Sequence, residues 1–167
     1  MPKFCNLLLF LLAALGLAAC GSDDATRLNT GDVAPAFTTA SLGSASMKFP
    51  DDVHGKVVVI RFWADWCRYC ENEMKAIEQV WQRHKAEGLE VLAVNAGQSK
   101  AEVEVFIKKI GVTYPALLDE QTAISKKYGV LALPTSYFVG RDGKIRAKLV
   151  GEADEATFER IAMELLK

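Results

Sequence analysis

Residues 55–70 read GKVVVIRFWADWCRYC. Gly55-Lys56 supplies a turn. Val57 to Phe62 then reads as a continuous β-branched run of the kind that fills a central strand buried on both faces. From Cys67 to about Glu87 the apolar spacing becomes helical. Met74, Ile77 and Trp81 stand at i, i+3 and i+7, with Val80 alongside, on one face. Glu71 and Lys75 are spaced for an i,i+4 ion pair on the outer side, and Gly88 ends the helix. A buried strand therefore runs straight into an amphipathic helix, and a C-x-x-C sits at the junction.

Outward from this junction the alternation continues. Leu89 to Val94 is a second buried strand. Residues 100–110 form a helix with Val103, Phe106, Ile107 and Ile110 inward, stopped at Gly111. Pro115 to Leu118 is a short strand, Thr122 to Tyr128 a short helix, and Ser136 to Val139 another strand. Arg141-Asp142-Gly143-Lys144 is a hairpin turn into Ile145 to Val150. A last helix runs from about Asp154 to Leu166, with Phe158, Ile161, Ala162 and Leu165 on its inner face. Upstream, Ala34 to Ala40 is a short edge strand with Pro35 at its start, and Met47 to Phe49 another after the SLGSAS turn. Alternating units of this kind predict an α/β fold, a mainly parallel sheet with helices on both faces, made mixed by the terminal hairpin.

The chain has 167 residues, half of them hydrophobic and a quarter charged, which is globular composition for one domain, two at most. Twenty Lys+Arg against 21 Asp+Glu leave a formal charge of −1, so no basic excess exists to hold a nucleic-acid backbone. The N-terminus, MPKFCNLLLFLLAALGLAAC, places Lys3 before an apolar run from Leu7 to Ala19. That is the layout of an export signal, too short for a spanning helix of roughly 20 residues. Leu17-Ala18-Ala19-Cys20 resembles a bacterial lipobox, in which the cysteine becomes the first mature residue and carries lipid. The alternatives are an uncleaved anchor or an ordinary signal with a chance cysteine. The expected organisation is a signal peptide over 1–19, a polar tether over 20–30 with Cys20 lipidated, and a folded domain over 31–167. Cys5 then leaves with the signal, and Cys67 and Cys70 are the thiols that remain.

A single close cysteine pair in an exported protein is not a disulfide scaffold. As a structural disulfide it would close a very small loop and constrain little of the unfolded chain. As half of a zinc site it would need two further ligands, and His54 and His84 have no paired spacing. No metal or cofactor is expected. At a strand-to-helix junction the pair reads instead as a redox centre. The helix N-terminus carries unpaired N–H groups and a partial positive charge that stabilise a thiolate. Cys67, exposed at that end, is expected to attack, and Cys70, one turn inward, to resolve. Arg68 adds a cation beside Cys67.

Phe62-Trp63-Ala64-Asp65-Trp66-Cys67-x-x-Cys70 resembles the signature of TlpA/ResA-like thiol–disulfide oxidoreductases of the thioredoxin superfamily, kin of the DsbE/CcmG proteins. The resemblance extends over nearly all of 30–167. It takes in Gly31-Asp32-x-Ala34-Pro35-x-Phe37, Val94-Asn95-x-Gly97, Leu133-Pro134-Thr135 and Asp142-Gly143-Lys144. It implies a thioredoxin-like fold, a central mixed sheet flanked by helices, with short N-terminal strands and a central αβ insertion within 96–130. It also implies that Pro134 is a cis-proline beside the cysteines, exposing the Leu133 backbone to an extended substrate segment. Leu133, Thr135 and Trp66 are then substrate-binding residues, and Glu73 an acidic residue that tunes the thiols. The plainer readings are an ordinary loop proline and a solvated helix glutamate. Tyr69 departs from the family, which usually has proline there, so the redox poise does not transfer.

The function implied is an extracytoplasmic, membrane-tethered reductase of disulfides in exported proteins, apocytochrome c among the possible clients, recharged by a membrane thiol carrier. Three alternatives stand beside it. Arg68 would favour a disulfide oxidant or isomerase. A peroxidase would need a P-x-x-x-T-x-x-C, which does not precede Cys67. A copper chaperone would need a histidine downstream, and none follows His84.

Overall fold

The computed structural model describes residues 28–43 and 46–167. The expected signal peptide, Cys20 and most of the expected tether lie outside the described residues, as does part of the SLGSAS turn. Among the described residues seven strands and four α-helices follow one another: β1 (Phe37–Thr39), β2 (Met47–Phe49), β3 (Val57–Trp63), α1 (Cys70–His84), β4 (Leu89–Ala96), α2 (Lys100–Ile110), β5 (Ala116–Asp119), α3 (Ala123–Lys127), β6 (Thr135–Val139), β7 (Ile145–Val150) and α4 (Glu155–Leu166).

β1 and β2 form a small antiparallel hairpin, and the others a sheet in the order β5-β4-β3-β6-β7. β3 is the central strand. It pairs parallel with β4 and antiparallel with β6, and every residue of it is buried. Alternation along β3 sorts the core into two layers. Val57, Val59 and Trp63 join α1, α2 and α4 through Met74, Ile77, Phe106 and Phe158. Val58, Ile60 and Phe62 join the β1–β2 hairpin and α3 through Phe37, Phe49, Ile124 and Tyr128. Three helices thus cover one face, while α3 shares the other with the N-terminal hairpin.

Both sheet edges are partly covered. On the β5 side, the amide of Leu118 donates to the carbonyl of Ala40 and that of Leu42 to Ala116. On the β7 side, Gly31 donates to the carbonyl of Ile145, whose own amide donates to Asp32. These contacts give the Gly31-Asp32-x-Ala34-Pro35 segment a structural use: it blunts an edge that would otherwise offer unpaired amides.

Most elements lie within one or two residues of the sequence expectation. Two differences bear on the site. The apolar run of β3 contains one charged residue, Arg61, which is fully buried. And α1 begins at Cys70, not Cys67. Turns lead into it instead, with the Cys67 amide donating to Ala64 and the Cys70 amide to Cys67. The helical periodicity itself starts at Met74, so it cannot locate a boundary one turn upstream.

Candidate active site

Cys67 and Cys70 form a disulfide, with Cα atoms 5.4 Å apart, across the start of α1. Cys70 is the first helical residue and Cys67 lies in the turn before it. Cys67 is not the exposed thiol that the helix-end argument anticipates. It is 6% exposed and Cys70 0%. Both pack in the core layer that holds Trp63 and Met74, so tertiary packing overrides the local geometry. What solvent contact the pair has belongs to Cys67.

β6 delivers the second part of the site. Thr135 pairs with Phe62, near the end of β3 from which the chain leads to Cys67. The Leu133–Pro134 peptide just before it is cis, as is Phe49–Pro50 elsewhere. The carbonyl of Pro134 accepts from Gly151 at 2.8 Å. Leu133 is half-buried and packs against both core layers. Thr135 is buried, and its hydroxyl donates to the Ala132 carbonyl at 2.7 Å, so its side chain braces the loop. Trp66 is 70% exposed, and Tyr69, Leu131 and Val150 are exposed too. Val150 pairs with Thr135 on β7. Apolar surface therefore lies exposed at the end of the sheet where the cysteines and the cis-proline are.

Arg68, expected to act on Cys67, turns its charge to a neighbouring ring. Its guanidinium lies over the Tyr69 ring, 5.7 Å from the centroid. That residue pair forms an exposed cation–π contact of about 0.5–1 kcal/mol. Glu71, beside Cys70, is drawn to the other side. Hydrogen bonds from Lys109 and then Lys75 hold its carboxyl far below the usual range, to about 2, tying α1 to α2.

Glu73 is buried, not a solvated helix residue. It meets Arg61: Nη1 donates to Oε1 at 2.8 Å, and Nη2 lies 2.7 Å from Oε2. The second contact has ion-pair distance without hydrogen-bond alignment. Arg61 Nη1 also donates to the Ser136 hydroxyl at 3.0 Å. The sequence reading passed over Arg61. Its signal was available, since a charged residue within a strand buried on both faces requires a partner.

A second group went unrecognised. Gln98 Oε1 accepts from the Asp65 amide at 2.8 Å and from Asn95 Nδ2 at 2.9 Å. Its Nε2 donates to Asp65 Oδ1 at 2.6 Å, and its own amide donates to Asn95 Oδ1. The Val94-Asn95-x-Gly97 motif thus anchors the loop that leads into Cys67. Among the described residues no group of three or more His, Cys, Asp or Glu is placed to hold a metal ion.

The arrangement can exchange a disulfide. It holds a two-cysteine couple at a helix start, buried except for a small exposure of Cys67, on the end of the sheet that also carries the cis Leu133–Pro134 peptide. Comparisons with known proteins agree. The AhpC/TSA family model matches residues 30–148. The chain is 35% identical to the thiol-disulfide oxidoreductase ResA of Geobacillus thermodenitrificans over 147 residues, 87% of this chain and 84% of the relative. It is 31% identical to ResA of Bacillus subtilis over 90% of this chain and 85% of that one. A crystal structure from Chlorobium tepidum, described as the thiol:disulfide interchange protein DsbE, superposes with a TM-score of 0.80 at 29% identity, covering 84% of this chain and 100% of that one.

Proposed function

The chain belongs to the AhpC/TSA family and is a thiol–disulfide oxidoreductase of the ResA and DsbE kind, and on that premise we propose that it is a lipid-anchored reductase of disulfides in exported proteins. The observation that carries the reading is the Cys67–Cys70 couple, whose only solvent contact is at Cys67. In the reduced enzyme the Cys67 thiolate attacks one sulfur of a client disulfide, forming a mixed disulfide and releasing the other client sulfur as a thiolate. Cys70 then attacks Cys67, which re-forms the Cys67–Cys70 bond and frees the second client thiol. The client gains two electrons and the enzyme loses two.

Pro134 and Leu133 present the backbone that pairs with the client, and Trp66 lines the approach. Glu73 acts on the thiols from the first turn of α1. The domain spans 31–167, the signal 1–19 is removed, and Cys20 carries the lipid at the end of the tether 20–30. Leu17-Ala18-Ala19-Cys20 supports this anchor. No helix among the described residues is long and apolar enough to cross a membrane. A membrane thiol carrier recharges the oxidised enzyme, and exported apocytochrome c is one client of suitable chemistry.

The test is a Cys70→Ser variant expressed with its native N-terminus in the source cell. It should accumulate client proteins disulfide-linked to Cys67, recovered in the membrane fraction. Adding Cys20→Ser should release the complexes from the membrane without abolishing them. Absence of trapped exported proteins would sink the client assignment. Membrane retention of the Cys20→Ser protein would sink the lipid anchor.

A further inference from the structure

β3 contains one charged side chain, Arg61, and no part of it reaches solvent. Alternation puts it on the face of Val57, Val59 and Trp63, which α1 and α4 cover. There it grips Glu73 by two contacts and Ser136 by a third. The Ala153 amide, in the turn before α4, donates to Glu73 Oε1 at 3.4 Å. One buried ion pair therefore links β3, β6, α1 and the β7–α4 turn.

Stability does not account for it. Taking each charge out of water costs several kcal/mol, and an apolar pair of similar volume is commonly as stable or more so. The pair is not even fully satisfied, since the Arg61 Nε–H has no acceptor among the described residues. What distinguishes its position is the chemistry nearby. Glu73 is three residues past Cys70, and Arg61 is six before Cys67, on the strand that leads into it. Cys70 and Glu73 stand at i and i+3 in the first turn of α1, so they are neighbours on the helix, and a buried charge so placed acts on a thiolate with little screening.

We propose that Arg61 is a positioning residue for the dithiol: it pairs with the Glu73 carboxylate and compensates its charge, so that the pair, not the carboxylate alone, sets the redox poise. The proposal rests on the thiol–disulfide reading. With Glu73 unpaired, its charge would repel both thiolates. With Arg61 unpaired, its charge would stabilise them and make the protein more oxidising. Together the two effects largely cancel.

The experiment equilibrates the mature domain with glutathione buffers and follows thiolate absorbance against pH, for the native protein, Glu73→Gln, and Glu73→Gln with Arg61→Met. Glu73→Gln leaves the guanidinium buried alone. It should lower a thiol pKa and shift the equilibrium about tenfold toward the dithiol, equivalent to about 30 mV. Adding Arg61→Met removes that charge and should bring the constant back to within about threefold of native. A double variant no nearer to native than the single would overturn the proposal, because loss of packing alone gives no reversal. A lone buried charge threatens folding of the single variant, so Arg61→Lys, which keeps a cation against Glu73, provides a second measurement. Its glutathione equilibrium should stay within about threefold of native, and a shift of about tenfold would equally overturn the proposal. Brief alkylation of reduced native protein separates the two readings. Labelling at Cys67 sustains the oxidoreductase chemistry whatever becomes of Arg61.

Discussion

At the scale of single residues, the site depends on side chains that never touch a client. Gln98 is the clearest. Its carboxamide holds both the amide and the carboxylate of Asp65, two residues before Cys67, while Asn95 holds Gln98. An amide is required because it accepts at one atom and donates at the other. Gln98→Leu strands the Asp65 amide and should cost about 1–3 kcal/mol in chemical denaturation. Gln98→Glu keeps the acceptor but turns the donor into a second carboxylate against Asp65 Oδ1. One of the two carboxyls is then raised above its unfolded value and takes up a proton on folding. The repulsion is relieved as pH falls, so this variant should lie closer to native stability at pH 4.5 than at pH 7.5. Equal destabilisation at both would mean that the carboxylates do not meet.

At the scale of elements, α3 shows how a segment too short to stand alone is held. Five residues cannot offset the cost of helix nucleation. Asp119, buried at the end of β5, accepts from the amides of Ile124 and Ser125 and from the Ser125 hydroxyl. The helix then seats Ile124 and Tyr128 on the hairpin side of the core, with the Tyr128 hydroxyl on the Pro35 carbonyl. Asp119→Ala removes every one of these acceptors and should cost about 2 kcal/mol or more. Hydrogen exchange should rise at Ile124 and Ser125 first, and the glutathione equilibrium should stay unchanged, because α3 lies on the face opposite the dithiol. A shifted equilibrium would instead couple the two faces through the sheet.

At the scale of the whole molecule, α1 and α4 are clasped on one face by charge. His84 sits between Glu159, 2.8 Å from Nε2, and Glu87, 3.0 Å from Nδ1. Arg83 shares Glu159 and reaches Glu155. The Glu159 carboxylate raises the His84 pKa most, burial opposes it, and Glu87 adds to the rise. A raised folded pKa means that this contribution is complete below the unfolded value of about 6.5. It is lost as pH climbs through the folded value. Denaturation midpoints should therefore decline from pH 6 to pH 8.5, and His84→Gln should flatten that decline. An unchanged slope would show that His84 does not carry it.

Much of the fold was legible in the sequence because its signals are local. Continuous apolar runs mark β3 and β4, the 3.6-residue period marks α1, α2 and α4, Gly88 and Gly111 stop the first two helices, and the Asp142-Gly143 turn marks the β6–β7 hairpin. The C-x-x-C and Pro134 were legible for the same reason: they are short patterns of residue type. The tertiary structure decided which of these meet, and at what burial. It moved the start of α1 from Cys67 to Cys70 and buried both sulfurs. It joined Arg61 to Glu73 across 12 residues of sequence, to Ser136 across 75, and Asp65 to Gln98 across 33. Such pairings depend on strand register and on the order of strands in the sheet. No local period encodes those, so the partner of a buried charge becomes known only when the chain has closed around it.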